Sequence, residues 1–124
     1  MKRVLGVGGI FIKAKDPEKL RAWYRDHLGF NVDKWGGVIF RTDGGGEVHK
    51  TVWSLFPESS NYFAPSIQPF MINYRVDDLH GLLAQLRAEN CEVDPKVDES
   101  EFGKFGWVMD PEGNRVELWE PPKP

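Results

Sequence analysis

Few side chains in this sequence are of the types that do chemistry alone, and they are spread far apart. Three histidines, His27, His49 and His80, and one cysteine, Cys91, are the only imidazoles and thiol. Imidazole can shuttle a proton or give a lone pair to a metal, but each needs partners. His27 lies near the end of a helical stretch, where it can meet the terminal carbonyls. His80 falls in the first turn of a second helix and reads as solvated, and His49 reads as exposed beside Asp43-Gly44-Gly45-Gly46. Cys91 follows a helix end with no histidine near it in sequence, which argues against a nucleophile. A lone cysteine forms no intrachain disulfide, and with no secretion signal this points to a reducing, cytoplasmic setting. Lys13 and Arg75 occupy equivalent places in two repeated patterns. They can grip an anionic group together, or simply be strand-end charges in water.

The elements that must position these residues follow from periodicity. Val4–Ala14 is aliphatic without helical spacing and reads as a buried strand rather than a signal peptide or membrane span. Asp16-Pro17-Glu18 starts a helix: the Asp accepts free N–H groups, Pro fits the first turn and Glu suits the positive end of the dipole. Leu20, Trp23, Tyr24 and Leu28 repeat at helical spacing, with Trp23 and Tyr24 read as core, and Gly29 stops the helix. Strands are predicted over 31–35, 38–42 and 48–56. The segment 57–69, with its prolines and serines, has a linker's composition, although Tyr62 and Phe63 suggest that it packs onto something. The pattern then restarts: a strand over 70–76, a helix capped by Asp78 with Leu79, Leu82, Leu83 and Leu86 on one stripe, and strands over 91–93, 105–109 and 115–120. Asp110-Pro111-Glu112-Gly113-Asn114 forms the last turn. One domain over 1–124 thus divides into a module over 1–56, the linker over 57–69 and a module over 70–120, each reading β-α-β-β-β.

A net charge of −3, with Lys and Arg dispersed, argues against nucleic acid or an anionic membrane as partner.

The run from Asp16 through Trp23-Tyr24 to His27-Leu28-Gly29-Phe30 resembles the first half of a vicinal oxygen chelate (glyoxalase/bleomycin-resistance/dioxygenase) protein. Tyr74-Arg75-Val76-Asp77-Asp78-Leu79 and the closing Asp110-Pro111-Glu112-Gly113-Asn114-Arg115-Val116-Glu117-Leu118 resemble its second half. The resemblance covers nearly the whole chain. It implies an α+β fold of two βαβββ modules forming a half-open barrel around a cleft, a homodimer, and a divalent metal held by residues on the first and last strand of each module. Those positions fall on Gly9, Met71, Glu117 and, by a looser count, Trp53. Glycine has no donor atom, an indole N–H offers no lone pair, and a thioether is a poor ligand for Zn, Mn or Fe(II). This member is therefore expected to lack the standard metal site and to carry no cofactor.

If those positions mark the inward face, strand alternation fills the cleft. Phe11, Lys13, His49, Trp53, Met71, Asn73, Arg75, Trp107 and Trp119 are the candidate ligand-binding residues, and Glu117 the candidate catalytic one. An apolar wall with sparse polar anchors suits a small molecule; the same aromatics can also fill a collapsed core. Glu117 reads as a general base, a ligand anchor, half of a dyad with His49, or a structural partner of Arg115, Lys13 or Arg75. Gly103 and Gly106 can make a mobile lip of residues 104–107. The linker's aromatics can reach a partner subunit. The reading is a glyoxalase-like small-molecule binder with an aromatic cleft; the alternative is an isomerase, lyase or transferase using Glu117 as base.

Overall fold

The computed structural model describes residues 3–41 and 50–123. Its elements run β1 (Gly6–Ala14), α1 (Pro17–Leu28), β2 (Val38–Arg41), β3 (Lys50–Pro57), β4 (Phe70–Arg75), α2 (Leu79–Ala88), β5 (Glu92–Val93), β6 (Asp98–Ser100), β7 (Gly103–Met109) and β8 (Arg115–Glu120). The strands form one open sheet in the order β2-β3-β1-β4-β8-β7-β5, with β6 also on β7. The two opening strands, β1 and β4, pair antiparallel at its centre. Each also pairs parallel with a closing strand, β1 with β3 and β4 with β8. This is the half-open α+β barrel that the sequence implies.

Both helices start where the carboxylates predict. Asp16 accepts from Lys19 N at 3.1 Å and Asp78 from Gly81 N at 3.0 Å. Gly29 ends α1 in the left-handed region, at φ 70°, which favours a residue without Cβ. The two helices cover one side of the sheet. Ala14, Val38, Trp53 and Leu55 pack with Leu20 and Tyr24 of α1. Val76, Leu79, Leu82, Leu83 and Leu118 make the equivalent core at α2. Glu120, on this side too, is only 8% exposed and accepts from Leu79 N at 2.9 Å. It satisfies a free donor at the positive end of α2.

A third cluster lies on the opposite side of the sheet, where Phe63, Met71 and Trp107 are buried against Phe11, Phe56 and Phe105. Phe63 belongs to the segment joining β3 to β4. That segment therefore packs onto its own barrel, like a strap over the cleft.

Three element assignments differ from expectation. Residues 31–35 form no strand; Asp33 N instead bonds Gly37 O at 2.8 Å and Gly36 N bonds Asp33 O at 2.9 Å, closing a turn. The strand β6 has no signal in the sequence, because Asp98-Glu99-Ser100 is acidic, exposed and poor in β-formers. Residues 104–107 are regular strand, not a lip: Trp107 is 1% exposed, and a Cβ on Gly106 would lie 2.9 Å from Leu83 Cδ1. Among the described residues no helix is long and apolar enough to cross a membrane.

Candidate functional site

The ladders bring five residues into one row across the cleft side. Val52 is opposite Gly9, Gly9 opposite Asn73, Asn73 opposite Glu117, and Glu117 opposite Trp107. Glu117 sits near the centre of the sheet and is 1% exposed. Its Oε1 accepts from Asn73 Nδ2 at 2.7 Å. Its Oε2 accepts from Trp107 Nε1 at 2.9 Å and from Tyr62 Oη at 2.6 Å. Burial pushes the Glu117 carboxyl above its ordinary value; the bonds from Tyr62, Asn73 and Trp107, and the charge of Arg115, pull the other way. Burial, and next the Glu117 charge, push the Tyr62 phenol strongly upward, so it stays a donor.

Tyr62 is the part of this cluster that sequence reasoning missed. It lies 55 positions before Glu117, in a segment with no periodic pattern to say which way it points. Its ring stacks on Phe56 at 5.5 Å and 10°. The strap is further held by Arg115 Nη1, which donates to Ala64 O at 2.8 Å.

Beside the strap the cleft stays open. A cavity of about 360 Å³ is lined by Gly8, Phe11, Val52, Asn73, Phe105 and Trp119, with Lys50, Glu101, Phe102 and Pro122 around its mouth. Phe105 and Trp119 face each other across β7 and β8 with rings at 6.1 Å and 12°. Trp119 Nε1 donates to Phe102 O at 2.8 Å, tying the mouth to the wall. Phe102 itself is 68% exposed.

At the floor, the Asn73 oxygen has no hydrogen-bond partner among the described residues, although Asn73 is only 3% exposed. It lies over Gly8, where an added Cβ would collide with it and would come within 2.9 Å of the Trp119 ring. The β1–β4 register shifts between Val7 and Gly9, so Gly8 sits at an irregularity in the ladder, where a side chain would force the Asn73 amide and the Trp119 ring to move.

The candidate residues thus separate into groups. Phe11, Asn73 and Trp119 line the open cleft. Arg75 lies beneath it, with Nη1 donating to Val7 O at 2.6 Å and Lys50 O at 2.9 Å. Met71 and Trp107 face the cleft side but are sealed under the strap, at 0% and 1% exposure. Lys13 stands at the other end of β1, its Nζ 5.4 Å from the Phe63 ring. Arg75 pairs with Gly6 at the first end of β1, seven residues away at about 3.4 Å per residue, so the two cations do not share an anion. Trp53 points the other way, against Tyr24 at 4.9 Å and Phe30 at 5.0 Å. Val52, Ser54 and Phe56, the partners of Gly9, Phe11 and Lys13, take the cleft side of β3. His49 lies outside the described residues, and so does its pairing with Glu117.

The row through Glu117 bears directly on the metal that the resemblance implies. It holds valine, glycine, an amide, one carboxylate and an indole, and Asn73 rather than Met71 is the β4 residue in it. Both carboxylate oxygens face hydrogens: an amide N–H, an indole N–H and a phenol O–H. A cation there would meet those donors in place of lone pairs. Among the described residues no three His, Cys, Asp or Glu side chains come together as a ligand group. The residues present do not fit a divalent metal.

Open-sheet topology, two equivalent helix caps and a cleft on the far side of the sheet define a class of fold, and the sequence match agrees with it. The chain belongs to the Glyoxalase/Bleomycin resistance protein/Dioxygenase superfamily, whose model matches residues 6–118. No curated protein matches the sequence. Among solved structures, methylmalonyl-CoA epimerase from Mycobacterium tuberculosis is similar over 99% of this chain and 92% of its own, with a TM-score of 0.71 at 17% identity. A singly substituted form of the Streptomyces coelicolor epimerase, in complex with 2-nitronate-propionyl-CoA, is similar over 97% of this chain and 99% of its own, with a TM-score of 0.72 at 15% identity. For a superfamily member from Vibrio splendidus 12B01 the shares are 92% and 97%, with a TM-score of 0.62 at 15% identity. Likeness at these identities concerns the fold.

Proposed function

We propose that this chain binds a small, flat, largely apolar molecule in the cleft between β1 and the β7–β8 wall, without the divalent metal of its superfamily. One observation carries the reading. The cavity beside the strap is walled by Phe11, Phe105 and Trp119, and at its floor the Asn73 oxygen lacks a partner among the described residues. Meanwhile the carboxylate at the centre of the sheet is fully engaged by its own neighbours. A site with apolar walls and one polar anchor suits binding by ring contact.

A thermal-shift and tryptophan-fluorescence titration with indole, benzofuran and quinoline tests this. Stabilisation at millimolar ligand is expected. Phe105→Ala should weaken binding about threefold to tenfold, the value of one aromatic contact, and exposed Trp35→Ala should not. Absence of any response to all three rings would overturn the proposal.

The raised carboxyl of Glu117 favours a second reading, an isomerase-type enzyme with Glu117 as general base. It requires Tyr62 to leave Oε2 so that substrate can reach it. Turnover abolished in Glu117→Gln and raised in Tyr62→Phe would support it. The homodimer implied by the resemblance belongs to this proposal too, and sedimentation tests it. In either assembly Phe63 of the strap is committed to its own cleft and is not an arm for a partner.

A further inference from the structure

We infer that Glu117 is a positioning residue that fixes the Asn73 amide with its oxygen toward the cleft, so that the cleft selects flat rings entering with an N–H or O–H donor first. This rests on the binding reading above and adds the chemistry of the ligand to it.

Hydrogen-bond polarity sets the orientation of the amide. An amide side chain can present either end, and the choice is made by what stands opposite. Trp107 Nε1 can only donate, so Glu117 Oε2, 2.9 Å away, must accept. Tyr62 Oη donates to the same oxygen. Oε1, the other carboxylate oxygen, then requires a donor, which is Asn73 Nδ2 at 2.7 Å. The amide is thereby locked, and Oδ1 is left over Gly8, which lines the cleft together with the Trp119 ring. It is a buried acceptor with no donor among the described residues and almost no exposed surface of its own, so a ligand reaches it as the adjoining Trp119 ring shifts. Leaving such a group unmatched is unfavourable, so a ligand that supplies the donor gains what a ligand without one does not. Of the groups around it, Gly8, Phe11, Val52 and the Trp119 ring are apolar; the Arg75 stem also lies against Gly8, but its guanidinium reaches over Gly6, where Nη1 donates to Val7 O and Lys50 O.

The same logic predicts how the selection inverts. In Glu117→Gln the Trp107 N–H still demands an acceptor, so the introduced amide turns its oxygen to the indole and its NH2 to Asn73. Asn73 must then present Oδ1 to that NH2 and swing its own NH2 toward the cleft. The floor changes from acceptor to donor without any change in shape.

The experiment measures dissociation constants of indole, benzofuran and quinoline for the wild type and Glu117→Gln. Indole and benzofuran are nearly the same size and differ in the N–H; quinoline brings a ring nitrogen that accepts. One satisfied hydrogen bond corresponds to about fivefold to tenfold in affinity. The wild type is expected to bind indole tighter than benzofuran and quinoline by that factor, and Glu117→Gln to prefer quinoline over indole. A purely structural role for Glu117 would weaken all three rings alike. Equal binding of indole and benzofuran by the wild type overturns the inference while leaving the binding reading intact. This comparison needs no variant, so it stands even if Glu117→Gln fails to fold. Preference for indole persisting in a folded Glu117→Gln overturns the role of Glu117. No binding of any ring overturns both.

Discussion

Tyr62→Phe isolates one bond of the central cluster. The substitution keeps the ring that stacks on Phe56 at 5.5 Å and deletes only the hydroxyl that donates to Glu117 Oε2 at 2.6 Å. A hydrogen bond to a charged, buried acceptor contributes about 2 kcal/mol. For a chain of 124 residues about 1 kcal/mol corresponds to about 4 °C at the midpoint, so a loss of about 8 °C is expected. The effect should depend on pH, with a sign fixed by Glu117. Its carboxyl is raised above the ordinary 4.5 by burial. A carboxyl raised on folding gives its full stability below the ordinary value and loses it as pH climbs through the native one. Removing the Tyr62 donor raises the native value further, so the penalty of Tyr62→Phe should be largest at about pH 8 and shrink near pH 5. Melting curves by circular dichroism at the two pH values, with Glu117→Gln and the double substitution to close a cycle, provide the measurement. An unchanged midpoint for Tyr62→Phe at the higher pH would refute the reasoning, because the strap would then not be pinned through Glu117.

Two further outcomes follow from the same geometry. Phe63→Ala should lower stability by about 3–5 kcal/mol, since the ring is fully enclosed by Met71, Trp107 and their neighbours; a loss under about 1 kcal/mol in chemical denaturation would mean that the strap is not seated on the barrel. Zn, Mn, Ni or Fe(II), added after chelation, should leave the midpoint unmoved, because the Glu117 oxygens are already taken; a stoichiometric metal that raises it would contradict the donor assignment.

Much of the scaffold is readable from single residues. Asp16 and Asp78 mark both helix starts because a carboxylate at an N-cap answers a local need that no distant contact changes. The last turn is equally local: Asp110 accepts from Glu112 N and Asn114 N, both at 2.9 Å. The side of β3 is not readable in this way. Lys50-Thr51-Val52-Trp53-Ser54-Leu55-Phe56 carries apolar residues in both phases of its alternation, so pattern alone does not say which phase meets the helix. The fit of Trp53 among Tyr24 and Phe30 decides it, and a shift of one residue moves every side chain to the other face. Asn73 and Met71 share one face, and only the ladder registers identify Asn73 as the neighbour of Glu117. The Tyr62 bond is long-range and comes from an irregular segment, so neither spacing nor composition announces it. Glu120 hides similarly, a charge on a helix-covered face that makes sense only once α2 begins above it.

The strap has a consequence for how such a barrel can diversify. Phe63 fills part of the interior, and the half-exposed Tyr62 covers it, from a stretch whose backbone, between Ser59 and Gln68, takes no part in any strand ladder. Shortening or rewriting that stretch would return volume to the interior while every strand kept its neighbour. Capacity and strand pairing are thus governed by separate parts of the polypeptide, so the interior can be enlarged at a cost in stability without rewiring the sheet.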